Sequence, residues 1–470
     1  MSDFARLSTG RVSRRSFLLA SAGLAVPAIV RADPVDPIAP AGADLPIPDT
    51  AAGRQLVWVL EQANRSARGL TVREIRAHVD PAFLAVLPAD QIRTVLKTYV
   101  GPNGPLVPAR FEGGVSETRA YAIALNPARQ MWRVVLSVSP VEPFLITQLY
   151  FAPVSTPIGP ANPPRRWSDL ADAIDALAPR TSFAAAELTE AGPIWLSRLY
   201  GDKQRAIASA FKLYVLGELV RQVASGEAAW QESLAVQDSL RSLPNGDMRL
   251  LPTGLELPIQ YFAERMIAGS DNTATDHLIA RLGRPRVQAE FAGQGHSRPE
   301  QNLPLLMTRE WFAMRMRLRD TQIERYLAAD AGKRLRILAD TVDPLAAQLS
   351  ETEPWPGPRF LDRIEWFAGA ADLVRAQHWL WRNSDGPDGA PVRDALSLNC
   401  GACWHPDTWR YIGYKGGYET GAMSNTWLLQ RQDGRWFSFA AIINDTRREI
   451  DANGLWLLQT AAERLLATTV

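Results

Sequence analysis

The chain has 470 residues, of which 46% are hydrophobic and 21% are charged, and these ordinary values exclude a disordered or collagen-like protein. Lys and Arg number 51 against 50 Asp and Glu, so the basic excess that nucleic-acid binding requires is absent. Two cysteines exclude a disulfide scaffold. The lysines are few: Lys97, Lys203, Lys212, Lys333 and Lys415. Because guanidinium cannot lose its proton in a protein, we expect Lys wherever the chemistry needs a base.

Residues 1–32 have the pattern of an export signal. Ser13–Leu19 reads Ser-Arg-Arg-Ser-Phe-Leu-Leu, and a mildly apolar run extends from Phe17 to Val30. The run is shorter than the ~20 residues of a membrane-spanning helix, and a small-residue cleavage site follows it. The segment resembles a twin-arginine signal peptide. We expect export by that route, a periplasmic or secreted mature protein, and no stable membrane anchor after cleavage.

Residues 33–48 are rich in Pro and Ala and are predicted to form a linker. Residues 49–155 are predicted to form a small α+β domain, because apolar residues recur at helical spacing from about 51 to 99. Shorter stretches rich in β-branched and aromatic residues follow and predict three antiparallel strands: Tyr121–Leu125, Met131–Val138 and Phe144–Phe151.

Residues 156–166 are again rich in Pro and predict a second linker, and residues 167–470 are predicted to form a second domain. A helix is expected near its start and another near its end, with a helix-rich middle. Two strands are expected early and three late, so that one sheet is built from both ends of the domain. The expected strands are 182–188, 193–200, 409–415, 424–431 and 435–443.

Three short motifs in this second domain carry groups suited to acyl transfer. Ser209 and Lys212 stand three residues apart, so a helix would place both on one face. A serine hydroxyl needs a base to become a nucleophile, and Lys can be that base when burial lowers its pKa. Ser270-Asp271-Asn272 and Lys415-Gly416-Gly417 follow in that order.

Each motif alone has a simpler structural interpretation. The first fits a buried helix, the second a helix N-cap, and the third a turn that ends a strand. Two of the five lysines lie in these motifs, and the three motifs together favour a catalytic interpretation.

The motifs resemble the S-x-x-K, S-D-N and K-[T/S/G]-G signatures of the serine β-lactamase and penicillin-binding-protein superfamily. The resemblance covers about residues 180–465 and is similar in spacing to class A β-lactamases. It implies a mostly antiparallel sheet flanked by helices. A finer resemblance is to a subgroup that includes the gatekeeper protein of clavulanic-acid biosynthesis, and it implies a steroid-isomerase-like N-terminal domain. The segments that carry it are Ser270–Asp276, Pro304–Glu310, Ile364–Leu373 and Tyr414–Gly421.

The superfamily resemblance implies four catalytic residues. Ser209 would be the acylated nucleophile, and Lys212 would be its general base. Ser270 would relay a proton to the leaving group. Lys415 would supply a positive field for a substrate carboxylate and would lower the pKa of Lys212.

The resemblance also implies substrate-binding residues. Asn272 would bind the substrate amide and Lys212. The backbone N–H groups of Ser209 and Tyr418, beside Gly417, would form the oxyanion hole.

One expected residue is missing. Class A β-lactamases carry a deacylating Glu on a loop after the S-D-N motif, and Leu306 stands at that position. Glu300 is the candidate deacylation base, whereas Glu310 is expected to stabilise a helix start. Without such a Glu we expect slow β-lactam hydrolysis, and an ester, an amide or a peptide remains open as the substrate.

The remaining features predict no metal and no cofactor. Cys400 and Cys403 lie near His405, but zinc needs four ligands and no second cysteine pair exists. The redox state of the two cysteines stays open, as does the oligomeric state.

The sequence is compatible with two classes of function. One is an exported serine hydrolase acting on a small molecule or peptide, and the alternative is a non-catalytic or barely catalytic gatekeeper that keeps the pocket.

Overall fold

A computed structural model of the protein describes residues 46–115, 117–128, 130–153, 163–243, 246–350, 355, 357–401, 404, 408–450 and 452–469. The predicted export signal at 1–32, Cys403, His405 and most of the two predicted linkers lie outside these residues. In the described part of the chain, no helix is both long and apolar enough to cross a membrane.

The first unit places helices before an antiparallel sheet. Its helices are α1 (Ala51–Asn64), α2 (Val72–His78), α3 (Pro81–Val86) and α4 (Ala89–Val95), and its strands are β1 (Val107–Val115), β2 (Arg119–Leu125), β3 (Met131–Val138) and β4 (Ile146–Pro153). Thr50 caps α1 by accepting a hydrogen bond from the Gly53 N–H at 3.0 Å, and Thr71 forms a capping box with Glu74 in α2. The strands lie in the order β1-β2-β3-β4, each antiparallel to the next.

The sequence analysis predicted three strands in this unit and missed β1. Pro108 and the pair Gly113-Gly114 interrupt the apolar pattern of this strand, and its pairing with β2 is irregular at both places. The helices pack on the sheet through a core that includes Leu56, Ile75 and Val134. The unit therefore forms a core of its own.

The second unit contains a larger set of elements. Its helices are α5 (Trp167–Asp175), α6 (Lys212–Ala224), α7 (Ile259–Ala268), α8 (Asn272–Leu282), α9 (Arg284–Gly293), α10 (Thr308–Arg317), α11 (Asp320–Leu327), α12 (Ala331–Ile337), α13 (Asp343–Ala346), α14 (Ala370–Arg382), α15 (Gly386–Ser397) and α16 (Ala452–Ala467). Its strands are β5 (Arg180–Thr189), β6 (Gly192–Leu199), β7 (Arg205–Ala206), β8 (Ser233–Ala235), β9 (Glu256–Pro258), β10 (Phe367–Ala368), β11 (Trp409–Glu419), β12 (Ala422–Arg431) and β13 (Trp436–Asn444).

One five-stranded antiparallel sheet organises this unit, in the order β11-β12-β13-β5-β6. Successive residues of a strand face opposite sides of a sheet. Ala184 and Ile442 accordingly belong to the core with α6, α7, α8 and α14, whereas Phe183 and Ala441 belong to the core with α5 and α16. The sheet is thus buried on both faces and is built from both ends of the unit.

The position of Lys415-Gly416-Gly417 differs from the sequence prediction. The motif was expected where a strand ends, but β11 continues through it to Glu419. Gly416 and Gly417 pair with Asn425 and Ser424 of β12. A hairpin ladder therefore holds the two glycines in extended backbone, which a Gly-Gly pattern alone does not predict.

The two units pack against each other beside β11, which is an edge strand of the sheet. β1 lies against β11 and α15. Thr118 donates to a carboxylate oxygen of Glu264 at 3.3 Å, and Arg133 donates to the Cys400 sulfur at 3.1 Å. The N-terminal unit therefore contacts α7, the helix that precedes Ser270.

Candidate active site

Ser209 lies in a tight turn between β7 and α6. A 3₁₀ turn spans Ala208–Phe211, and α6 begins at Lys212. Side chains three residues apart eclipse in a 3₁₀ turn, so Ser209 and Lys212 lie one above the other. Ala208 has a φ of +44°, a left-handed conformation that is strained for an alanine. The S-x-x-K motif thus spans a strained turn and the first residue of a helix, whereas the sequence analysis placed both residues on one helix.

Lys212 is fully buried, and three oxygen atoms lie within hydrogen-bonding distance of its amine. Nζ donates to the Ser270 carbonyl oxygen at 2.7 Å and to Asn272 Oδ1 at 2.7 Å, and Ser270 Oγ is 3.3 Å away. Burial lowers the pKa of Lys212 to about 7, although the carboxylates of Asp271 and Asp276 act in the opposite direction. A large fraction of this amine is therefore neutral near pH 7 and able to accept a proton.

Ser270 connects the two lysines of the site. Lys415 Nζ donates to Ser270 Oγ at 3.0 Å and to the Gly416 carbonyl oxygen at 2.6 Å. Burial lowers the pKa of Lys415 well below its usual value, and the nearby Lys212 lowers it further. The serine hydroxyl therefore lies between two amines that can exchange protons with it.

Ser270 owes its position to the residue that follows it. Ser270 has a φ of +53°, and Asp271 caps α8 by accepting from the Ala274 N–H at 2.8 Å. The second oxygen of Asp271 accepts from the Met248 N–H at 2.9 Å. The N-cap interpretation and the catalytic interpretation of S-D-N are thus compatible, because the cap holds the strained serine in place.

Asn272 is held from both ends of its side chain. Its Oδ1 accepts from Lys212, and its Nδ2 donates to the Leu243 carbonyl oxygen at 2.7 Å. Thr308, the first residue of α10, donates to the Asn272 carbonyl oxygen at 3.2 Å. The amide is therefore fixed in orientation next to the Lys212 amine.

Gly417 brings β11 into close contact with the Ser209 turn. A Cβ atom at position 417 would lie 2.1 Å from the Ile207 carbonyl oxygen and 2.7 Å from the Ser209 nitrogen. Only glycine allows the strand to approach the Ser209 backbone this closely. The backbone of the next residue, Tyr418, is thereby kept beside the Ser209 N–H, while the Tyr418 side chain is 59% exposed.

The two acidic residues considered for deacylation have different environments. Glu300 is exposed, on a 3₁₀ turn spanning Pro299–Asn302. Among the described residues, the hydrogen-bond partners of Lys212, Ser270 and Lys415 do not include Glu300.

Glu310 is buried and accepts from the Met307 N–H at 2.8 Å. It also forms an ion pair with Arg284. These contacts are those of a carboxylate that stabilises the start of α10, as the sequence analysis expected. Leu306 is 6% exposed, and its carbonyl oxygen accepts from the Trp366 indole at 3.1 Å.

The sequence analysis missed Asp276. This residue is fully buried and accepts from the backbone N–H groups of Thr308 and Arg309 at 2.7 and 2.9 Å. Burial raises the pKa of Asp276 to about 7. The carboxylate joins α8 to α10, and therefore joins the S-D-N motif to the segment after Leu306.

A buried ionic cluster beyond Gly417 was also missed. Glu419 lies on the same face of β11 as Lys415 and Gly417, and Arg315 contacts both of its carboxylate oxygens, at 3.2 and 3.1 Å. Burial raises the pKa of Glu419 to about 7 and that of the neighbouring Glu365 well above its usual value. No motif signals this cluster, because its members come from three distant segments.

No group of three or more His, Cys, Asp and Glu residues suited to a metal ion occurs in the part of the chain that the structure describes. Cys400 is buried, and its carbonyl oxygen accepts from the Trp427 indole at 2.9 Å.

Comparison with known proteins gives matches to two families. Residues 168–348 match the model of the beta-lactamase enzyme family, a range that includes the first two motifs and not Lys415. Residues 47–141 match a model described as the ORF 12 gene product N-terminal. No curated protein matches the chain.

The solved structures that the comparison matches include PBP-A, at 17% identity over 65% of this chain and 97% of that chain, with a TM-score of 0.43. A β-lactamase from Sphaerobacter thermophilus DSM 20745 has 19% identity over 64% and 97% of the two chains and a TM-score of 0.44. A β-lactamase from Francisella tularensis has 13% identity over 63% and 97% and a TM-score of 0.43.

The family match agrees with the antiparallel sheet and flanking helices of the second unit. The match shows that residues 168–348 are similar to the beta-lactamase enzyme family.

Proposed function

We propose that the protein is an exported serine hydrolase that forms an acyl-enzyme at Ser209 and releases β-lactam adducts slowly. The observation that carries this proposal is the environment of Lys212, a buried amine with a pKa near 7 next to the nucleophile turn. An amine in this environment can accept a proton from a hydroxyl group.

Acylation follows from the residues around that amine. Neutral Lys212 takes the proton of Ser209 as the serine oxygen attacks the substrate carbonyl. The N–H groups of Ser209 and Tyr418 stabilise the negative oxygen of the tetrahedral intermediate. Ser270 then gives its proton to the leaving group and regains one from a neighbouring amine, since its Oγ lies 3.3 Å from Lys212 and 3.0 Å from Lys415.

Lys415 gives the site a preference for anionic substrates. In the free protein, burial and the neighbouring Lys212 disfavour its charged form. A substrate carboxylate next to Lys415 would restore that charge by Coulombic attraction. Asn272, fixed at both ends, orients the substrate amide beside Lys212.

Slow deacylation is proposed from the groups around Leu306. The position that carries a base in class A enzymes is a buried leucine here, and Glu300 lies on an exposed turn. Once the leaving group has departed, Lys212 is the group left to activate the water that attacks the acyl-enzyme. Small esters, which leave more room for water, should turn over better than penicillins.

The N-terminal unit is proposed to be steroid-isomerase-like, and the whole chain to be similar to the gatekeeper subgroup. The proposal is supported by its helices-then-sheet order and by the four segments quoted from the second unit.

Mass spectrometry of the full chain after exposure to a fluorophosphonate tests the acyl-enzyme proposal. We expect one adduct on the peptide that contains Ser209, and none in Ser209→Ala. Ser225→Ala, at the exposed end of α6, is the matched control and should be labelled normally. A correctly folded chain that takes up no fluorophosphonate and no labelled penicillin would instead favour the non-catalytic alternative.

A further inference from the structure

A cavity lies where β5 begins and β13 ends, and it is also lined by Arg205 and Ala206 of β7, the strand that precedes the Ser209 turn. Its volume is about 350 Å³, within the lower part of the range typical of small-molecule sites. None of Ser209, Lys212, Ser270 and Lys415 lines it. The cavity therefore needs an explanation separate from the acylation chemistry.

Arg205 is the central charge of this cavity. Its Nε donates to the Thr181 carbonyl oxygen at 3.0 Å and its Nη1 to the Gln204 carbonyl oxygen at 3.1 Å. These two bonds fix the guanidinium but do not neutralise its charge. Among the described residues, Arg205 forms no ion pair, although it is only half-exposed.

Two further guanidinium groups line the same cavity, those of Arg180 and Arg363, against a single carboxylate, that of Asp362. Asp362 lies 3.1 Å from Arg180, and Arg363 is paired with Glu324 outside the cavity. The pKa of Arg205 is lowered by burial and then by repulsion from Arg180. Asp175, which is not among the lining residues, attracts Arg205 and partly offsets this repulsion. Among the described lining residues, three guanidinium groups thus accompany one carboxylate.

The rest of the lining offers both polar and apolar contacts. Gln301 and Thr446 contribute side chains that form no hydrogen bond to other described residues. Phe367 and Leu361 form an apolar wall. A ligand with one anionic end and a small apolar body would match these groups.

We propose that this cavity binds a small organic anion, with the Arg205 guanidinium as its anchor. Guanidinium groups bind the oxygens of carboxylates and phosphates in the same two-pronged geometry. Both ligand types present an oxyanion to the guanidinium, and binding experiments distinguish a carboxylate from a phosphate ester. The proposal does not depend on acylation at Ser209, since the two sites share no lining residue named above.

Calorimetric titration of the full chain with inorganic phosphate and, separately, with malonate in a low-chloride buffer tests the proposal. We expect saturable binding of at least one anion. Tighter binding of phosphate would assign a phosphate ester, and tighter binding of malonate a carboxylate. Absence of saturable binding for both anions would overturn the proposal.

Variants locate the bound anion. Arg205→Gln should weaken binding at least about tenfold, because a charge-assisted hydrogen bond is lost. Gln301→Glu should weaken binding similarly, because it places a carboxylate in the cavity. Since Gln301 is exposed, this variant should fold normally, and it tests the site even if Arg205→Gln misfolds. Arg410→Gln removes one exposed charge elsewhere and should bind as the unaltered protein does. Normal binding by both cavity variants, or an equal loss in Arg410→Gln, would refute the assignment.

Discussion

Replacing Gly417 by alanine should disable acylation while leaving most of the fold intact. The added Cβ would lie 2.1 Å from the Ile207 carbonyl oxygen and 2.7 Å from the Ser209 nitrogen, and both of these atoms belong to the backbone rather than to a flexible side chain. To restore even a 3.0 Å separation, β11 and the Ser209 turn must move apart by about 1 Å. A misplacement of that size costs about 10²-fold in rate, and loss of one oxyanion donor costs about 10²- to 10³-fold.

We therefore expect the second-order rate constant for fluorophosphonate labelling to fall at least about 10²-fold in Gly417→Ala. Overpacking should also lower the free energy of unfolding by about 1–3 kcal/mol, which thermal unfolding would detect. Gly332→Ala is the matched control, because a Cβ there meets its nearest neighbour at 3.5 Å, an ordinary contact distance. Labelling of Gly417→Ala within about threefold of the unaltered rate would show that strand and turn can separate harmlessly, and it would refute the argument that the backbone N–H groups of Ser209 and Tyr418 form an oxyanion hole.

Four further predictions concern the same chemistry. Ser209→Ala should abolish labelling and hydrolysis with little change in the melting temperature, since the lost hydroxyl leaves a small cavity; labelling that persists would remove Ser209 from the mechanism. Lys212→Arg should reduce the acylation rate at least about 10²-fold, because guanidinium cannot act as a base; a near-normal rate would show that another group activates Ser209. The acylation rate should rise with pH through about 7, as Lys212 loses its proton, and a profile that is flat across this range in pre-steady-state assays would contradict the assigned base. Penicillin should give a burst of about one equivalent followed by slow release; fast linear hydrolysis that Glu300→Gln abolishes, with acylation intact, would instead identify Glu300 as a deacylating base.

The proximity of the residues within each motif could be predicted from the sequence, because it depends on short spacing. Ser209 and Lys212 are three residues apart, and Ser270 and Asn272 are two apart, so local backbone geometry largely fixes each pair. The turn at Ser209 is less regular than the helix expected, since a strained residue at position 208 cannot be read from an alanine.

The supporting residues could not be predicted, because their contacts span the chain. Arg315 and Glu419 are 104 positions apart, and their ion pair exists only once α10 has packed against β11. Asp276 and Thr308 are 32 positions apart. The residues next to a carboxylate in the sequence do not indicate whether it will be buried in such a pair or exposed. Only the folded structure distinguishes the two cases.

The strand order of the second unit has a consequence for folding. β5 precedes β13 in the chain by more than 200 residues, yet the two strands pair, and Glu187 of β5 bonds to Arg435, the residue before β13, across 248 positions. Contacts of such long range form slowly, because a large loop must close first. Until residues 436–444 have been made, one edge of β5 remains without its native partner and is open to pairing with other chains. Assembly of the sheet, and with it the catalytic turn, should therefore occur late in synthesis, and chains interrupted before β13 should aggregate rather than form a smaller active protein.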